Sequence, residues 1–257
     1  MKFKLIALAA VLAAAGSANA APINTGAAGN GGLFFSIWDS ANSYSRNLGF
    51  TIDSFEAGLA AAGNFTASFA ADATFTSFLG TANLAALKWN VVAAEGQGAR
   101  RVLESFNAPK PLTTKTADII RTLAGGTQSF ITDLNAKLVT ADSATYAVGT
   151  VGYAGATNKF ATNGAGLLNF SNAGTFANSD YVSGLSFMRI NAGATGIAAS
   201  TYTPYLDGTN SVKLYLDGNN ALNIAVTAVP EPESFAMLLA GLGLMGAIAR
   251  RRNKKSV

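Results

Sequence analysis

The chain of 257 residues contains no cysteine and no histidine, and only 12% of it is charged. Without cysteine there is no disulfide staple and no thiolate nucleophile. Without histidine there is no imidazole metal site and no Ser-His-Asp triad. Positive charge is also scarcer in the body than the totals suggest. The 18 basic and 14 acidic residues give a formal charge of +4 and a pI near 9.3, a balance that would suit nucleic acid or an anionic membrane. Seven of the basic residues are terminal: Lys2 and Lys4 precede the first apolar run, and Arg250, Arg251, Arg252, Lys254 and Lys255 follow the last. Between Ala21 and Val229 there remain 11 basic and 12 acidic side chains, so the body is close to neutral. It has no cluster of Lys and Arg interleaved with aromatics, which excludes nucleic acid as a partner. Arg100-Arg101, its local basic pair, reads as a solvated strand or turn feature.

The two ends carry the clearest signals. "MKFKLIALAAVLAAAGSANA" has a basic start, an apolar stretch from Leu5 to Ala15, and small residues at Ala18 and Ala20. Small side chains at −3 and −1 relative to a cut before Ala21 are what signal peptidase requires. Residues 1–20 are expected to be a removed signal peptide rather than an anchor helix. At the far end, Phe235 to Ala249 is uncharged and Arg250, Arg251 and Arg252 follow at once. At about 1.5 Å per residue this run is shorter than the ~20 residues that cross a bilayer core. Snorkelling arginines and local thinning make up part of the deficit. Once the N-terminus is exported, the basic cluster stops transfer and stays cytoplasmic. A short span suits a temporary inner-membrane anchor, whereas a buried core helix leaves the triple arginine unexplained.

Just ahead of the span stand Pro230, Glu231 and Pro232. Two prolines keep this segment extended and stop the downstream helix from propagating upstream, leaving an accessible strip of backbone at the membrane surface. Tripeptide, apolar helix and basic tail together resemble the PEP-CTERM sorting signal of Gram-negative bacteria. The resemblance covers the C-terminal segment and the signal peptide that accompanies it. It implies recognition by an exosortase, loss of the C-terminal anchor, and delivery to the surface or matrix of a bacterium that makes exopolysaccharide. Gly241, Gly243 and Gly246 match the dinucleotide pattern G-x-G-x-x-G, but no strand precedes them and no βαβ unit surrounds them. Close helix approach in lipid is the better reading.

The chain therefore divides into a signal peptide (1–20), a Gly-rich flexible lead-in (21–32), an exported β-rich domain (33–228) and the sorting signal (229–257). Within the body, the run from Leu33 to Phe55 reads as two strands joined by a Ser/Asn-rich loop. "ADATFTSFLG" reads as a short helix with Asp72 as N-cap and Phe75, Phe78 and Leu79 on one side. Residues 86–106 read as a hairpin turning at Glu95 to Gly98, and Pro109 and Pro111 break the chain. A helical segment near 113–139 carries the stripes Ile119, Ile120, Leu123 and Phe130, Leu134, Leu138, with a bend or split expected at Gly125-Gly126. The clearest hairpin alternates Val212, Leu214, Leu216, turns at Asp217 to Asn220, and alternates Leu222, Ile224, Val226. The fold class expected is mainly β, an antiparallel β-sandwich, with a jelly roll as one form of it, plus the helical insertion. The stretches Phe35 to Phe50 and Leu87 to Arg101 look like the bodies of other PEP-CTERM proteins.

Three kinds of chemistry are open to this body. Asp207 and Asp217 with Asn210, Asn219 and Asn220 offer oxygens to a calcium ion, although Asp-Gly is also plain turn chemistry and no D-x-D-x-D-G loop is present. Asp39, Asp53, Glu56, Glu95 and Glu104 are candidates for the paired carboxylates of a glycosidase, but sequence spacing cannot pair them. Trp38, Trp89 and the tyrosines would stack on sugar rings or fill a core, and β domains favour the core. Asn64-Phe-Thr66 and Asn169-Phe-Ser171 fit the N-glycosylation pattern, a weak signal in a bacterium. The functional expectation is a non-enzymatic exported surface or matrix protein without a cofactor. Its alternatives are a secreted carbohydrate-binding module and a histidine-free polysaccharide hydrolase.

Overall fold

The computed structural model describes residues 22–61, 65–107, 115–155, 174–176, 184–207 and 210–226. The chain divides into two units, Met1–Val226 and Thr227–Val257, and all the described residues belong to the first. The expected signal peptide, Pro230 to Pro232 and the expected membrane helix lie outside the described residues. No helix among the described residues is long and apolar enough to cross a membrane.

Among the described residues there are twelve strands. The first six are β1 (Gly32–Trp38), β2 (Asn42–Thr51), β3 (Thr66–Phe69), β4 (Lys88–Ala94), β5 (Arg101–Phe106) and β6 (Ser143–Ala147). The rest are β7 (Gly174–Thr175), β8 (Leu185–Asn191), β9 (Thr201–Pro204), β10 (Leu206–Asp207), β11 (Asn210–Leu216) and β12 (Leu222–Val226). Every pairing is antiparallel, and the main path runs β3-β12-β11-β8-β5-β4-β1-β2-β6. The three hairpins expected from sequence form as β1–β2, β4–β5 and β11–β12. Asp39 fixes the first turn: its Oδ1 accepts the backbone N–H of Ala41 and of Asn42, each at 2.8 Å.

Helices α1 (Ile52–Ala61), α2 (Ala73–Thr81) and α3 (Ala117–Asn135) complete the described elements. Helix α2 is as read from sequence, with Asp72 Oδ1 accepting the Phe75 N–H at 2.7 Å and Phe75 and Phe78 buried. Helix α3 runs unbroken through Gly125-Gly126, so the glycine pair does not split it. Ile120, Leu123, Ala124, Phe130, Ile131 and Leu134 form one buried stripe, and its packing outweighs the ~1 kcal/mol that each glycine costs a helix. Helix α1 replaces what reads as the tail of a strand. Thr51 and Ser54 cap each other there, Ser54 Oγ accepting the Thr51 N–H at 2.9 Å and Thr51 Oγ1 accepting the Ser54 N–H at 3.3 Å.

The expected two-sheet sandwich is instead one curled sheet. Strands β3 and β2 stand seven steps apart in the strand order, a separation of about 34 Å in a flat sheet. Yet Phe50 of β2 meets Phe65 and Phe69 with ring centroids 6.0 and 6.2 Å apart, and Arg46 Nη1 donates to the Ala70 carbonyl at 2.6 Å. The sheet therefore bends into a half-barrel. Its concave side encloses Leu33, Phe35 and Ile37 of β1, Trp89 and Val91 of β4, and Leu214 of β11, plugged by Phe55 of α1 and by Phe75 and Phe78 of α2. On the other face, Phe34, Trp38 and Val92 pack against Phe130, Ile131 and Leu134 of α3. Helices supply the outer layers where a second sheet was expected, and strands β1, β4, β5 and β8 are covered on both faces.

Residues 22–31, read as a lead-in, are tied to this body. Ile23 is 1% exposed and sits beside Phe34 and Leu134. Its N–H donates to Asn135 Oδ1 and its carbonyl accepts from Asn135 Nδ2, each at 2.8 Å. A Cβ on Gly31 would overlap the Ala94 carbonyl oxygen, so this strap lies flush on β4.

Candidate functional site

The densest set of charged groups centres on Arg101, at the head of β5. The turn of the β4–β5 hairpin brings Glu95 back onto it, and α1 lays Asp53 and Glu56 across it. Arg101 Nε and Nη2 donate to Glu95 at 2.8 and 2.9 Å, Nη1 to Glu56 Oε2 at 2.7 Å, and Nη2 to Asp53 Oδ1 at 2.6 Å. Glu56 Oε1 also accepts from Arg189 Nη1 at 3.2 Å and from the Tyr205 hydroxyl at 2.7 Å. Side-chain exposure is 14% for Arg101 and 2% for Glu95, so the pair is out of water and its strength depends on satisfied geometry. The pair read from sequence as solvated is thus half right: Arg101 is withdrawn from solvent.

Burial pushes the Glu95 carboxyl upward, but hydrogen bonds from the Arg101 side chain and from the backbone N–H groups of Asn30 and Arg101 outweigh it. Its pKa is held below the ordinary value. The Arg101 guanidinium is raised by its hydrogen bond to Glu95, against an opposing effect of burial. Burial raises the Tyr205 hydroxyl, and its bond to Glu56 adds to the shift. A groove of about 470 Å³ opens beside the cluster, walled by Leu59, Ala60, Thr203, Pro204 and Leu206, with Glu56, Arg189 and Tyr205 as its polar groups.

Of the five candidate carboxylates, Asp53, Glu56 and Glu95 converge, and Asp39 and Glu104 do not join them. Asp39 is spent on its turn and on the Asn83 N–H, which it accepts at 3.0 Å. Glu104 is 1% exposed on the strand face shared with Val102 and Phe106. A glycosidase acid needs a raised pKa and a free proton, whereas Glu95 is depressed and each of the three carboxylates bonds Arg101. The arrangement stores charge in a fixed geometry. Arg189 and Tyr205 carry no signal in the sequence, because they lie 133 and 149 residues from Glu56.

Several of the remaining candidates fall into structural roles. Asp217 Oδ1 accepts the N–H of Asn219 at 2.8 Å and of Ala221 at 3.0 Å, and Oδ2 accepts Asn223 Nδ2 at 3.2 Å, which is turn chemistry. Trp38, Trp89, Tyr44, Tyr146 and Tyr153 are buried, and Tyr205 meets Phe55 edge-on at 5.3 Å, so these rings serve the core. Asn64 and Asn169 lie outside the described residues, as do Ala18, Ala20, Pro230, Glu231, Pro232, Arg250, Arg251 and Arg252.

The family model for the PEP-CTERM protein-sorting motif matches residues 228–253, a span that includes Pro230 to Pro232 and Arg250 to Arg252. The chain carries a PEP-CTERM sorting domain. That PEP-CTERM match implies exosortase-dependent sorting of an exported protein to the cell envelope or surface, with exosortase as the processing partner. No curated protein and no solved structure matches the chain.

Proposed function

We propose that this is a non-enzymatic protein of the bacterial surface or extracellular matrix, exported with the help of a signal peptidase. Its C-terminal apolar run anchors it transiently in the inner membrane until an exosortase recognises the sorting signal and the anchor is lost, and it then takes a structural part in biofilm or floc among exopolysaccharide. The observation that carries the reading is the PEP-CTERM match over residues 228–253, with the tripeptide, apolar run and arginines in sorting order. The non-enzymatic part is supported by the commitment of Asp53, Glu56 and Glu95 to Arg101, which ties each of the carboxylates that converge into an ion pair.

The test is to delete Pro230 to Pro232 in the host and fractionate the cells. The unaltered protein is expected in the surface or matrix fraction at a mass lacking its C-terminal run. The deleted form is expected full-length at that end and held in the inner membrane. Equal release of both would overturn the sorting reading. A matrix that keeps its cohesion when the gene is removed would overturn the structural role.

A further inference from the structure

The groove beside the charged cluster is built where α1 meets β8 and β9. Arg189 and Thr203 stand directly opposite in the β8–β9 register, so their side chains share one side of the sheet. Phe187, two residues before Arg189, has its ring in the concave core, which puts Arg189 and Thr203 on that side. Glu56 and Leu59, three residues apart on α1, face the groove together. Pro204 and Leu206 add apolar wall, and Leu206 is left 52% exposed.

The polar groups here are not all spent. Among the described residues Arg189 is engaged only through Nη1, at 3.2 Å from Glu56 Oε1, and 34% of its side chain is exposed. Its Nε is buried without a partner, so the guanidinium is under-satisfied, the kind of group that a ligand oxygen completes. Glu56 Oε2 accepts one hydrogen bond, from Arg101 Nη1, and a carboxylate oxygen has room for a second. Donor and acceptor capacity therefore stand side by side against an apolar wall. An anion only accepts, and it would meet three carboxylates set against two guanidiniums. A cation only donates, and it would compete with Arg189 for Glu56. A sugar ring carries adjacent hydroxyls that each donate and accept, together with an apolar C–H face. We infer that the groove binds a neutral hexopyranose unit of a polysaccharide. One hydroxyl accepts from Arg189, the next donates to Glu56, and the C–H face lies on Leu206 and Leu59. At about 470 Å³ the groove falls within the range of small-ligand sites and holds such a ring. Taking exopolysaccharide as the source of the sugar rests on the matrix role proposed above; the chemistry of the groove does not.

The test titrates the full-length protein, kept in a zwitterionic detergent that carries no sugar, with cellotetraose, mannotetraose and galactotetraose by calorimetry. Tetragalacturonate and tetraglucosamine are the anionic and cationic counterparts. At least one neutral tetrasaccharide is expected to bind, and more tightly than either charged one. Leu206→Ser removes apolar wall at an exposed position, and Arg189→Leu leaves Glu56 its bonds to Arg101 and Tyr205. Each is expected to weaken that binding about tenfold or more, with near-UV circular dichroism checking the fold. Val151→Ser, at an exposed position after β6, is expected to bind as the unaltered protein does. Silence from all three neutral sugars would overturn the inference. So would unchanged affinity in Leu206→Ser, whether or not Arg189→Leu folds, and so would tighter binding of a charged tetrasaccharide. Binding in the groove alongside a matrix that stays cohesive without the gene would keep this inference and remove only the matrix role.

Discussion

Replacing Arg101 with methionine keeps the aliphatic volume, removes the charge, and leaves Glu95 buried without its cation. Breaking a buried pair from one side costs about 3–5 kcal/mol, and chemical denaturation at neutral pH is expected to read a loss of that size. The pH dependence gives a sharper test. In the unaltered protein the Glu95 pKa is depressed. Its contribution to stability is therefore full above the unfolded Glu value of about 4.3 and is lost as pH falls through the lower folded value. In Arg101→Met, burial without a cation raises the carboxyl, so acidification toward pH 4 relieves the penalty. The stability gap between the two proteins is expected to narrow as pH falls; a constant gap would exclude Glu95 as the group responsible. The sequence places Glu95 and Arg101 on either side of a turn, so this contact was within reach of sequence reasoning. The partners on α1 and β8 were not, because no local rule links residues dozens of positions apart.

Elements whose signals are local were legible, and those stabilised from outside were misread. Helix α2 has its cap and its apolar side within one short stretch, and the structure keeps both. Helix α1 continues from a strand that shares its apolar and Ser/Thr-rich character, and its reciprocal Thr51–Ser54 cap substitutes serine for the usual glutamate, which hides the signal. At α3, Gly125 and Gly126 are exposed, and a Cβ on either would meet nothing within 4 Å. Gly125→Ala and Gly126→Ala are therefore each expected to stabilise the protein by about 0.5–1 kcal/mol. For a domain of this size that corresponds to a Tm increase of about 2–4 °C per kcal/mol. A fall in Tm would mean that a hinge at the glycine pair matters to the native state.

At the scale of the whole molecule, the curl of the sheet makes one body of the first unit. The concave and α3-facing clusters share β1 and β4, with Phe35 and Phe34 pointing to opposite sides of the same strand. A chain of residues 21–226 is expected to unfold in a single cooperative transition and to retain the near-UV signal of Trp38 and Trp89. Two separate transitions would show that the half-barrel and the α3 layer are independent. The edge strand β6 is also protected: Lys137 Nζ donates to the Thr145 carbonyl at 2.8 Å, and Thr150 Oγ1 and N bond the Ala147 carbonyl. Covering edge carbonyls in this way blocks uncontrolled strand addition, a useful property in a protein proposed to work at high density outside the cell.

The linear order of residues was enough for the sorting tripeptide and its basic tail, the three hairpins, the N-cap at Asp72 and the antiparallel β character. Each is a local pattern whose physics acts over a few neighbouring positions. Folding in three dimensions settled whether the strands form two sheets or one, because alternation records which side of a strand is buried and not what buries it. It also turned a supposed loose lead-in into a docked strap, since Ile23 is held by an asparagine that the chain delivers 112 residues later.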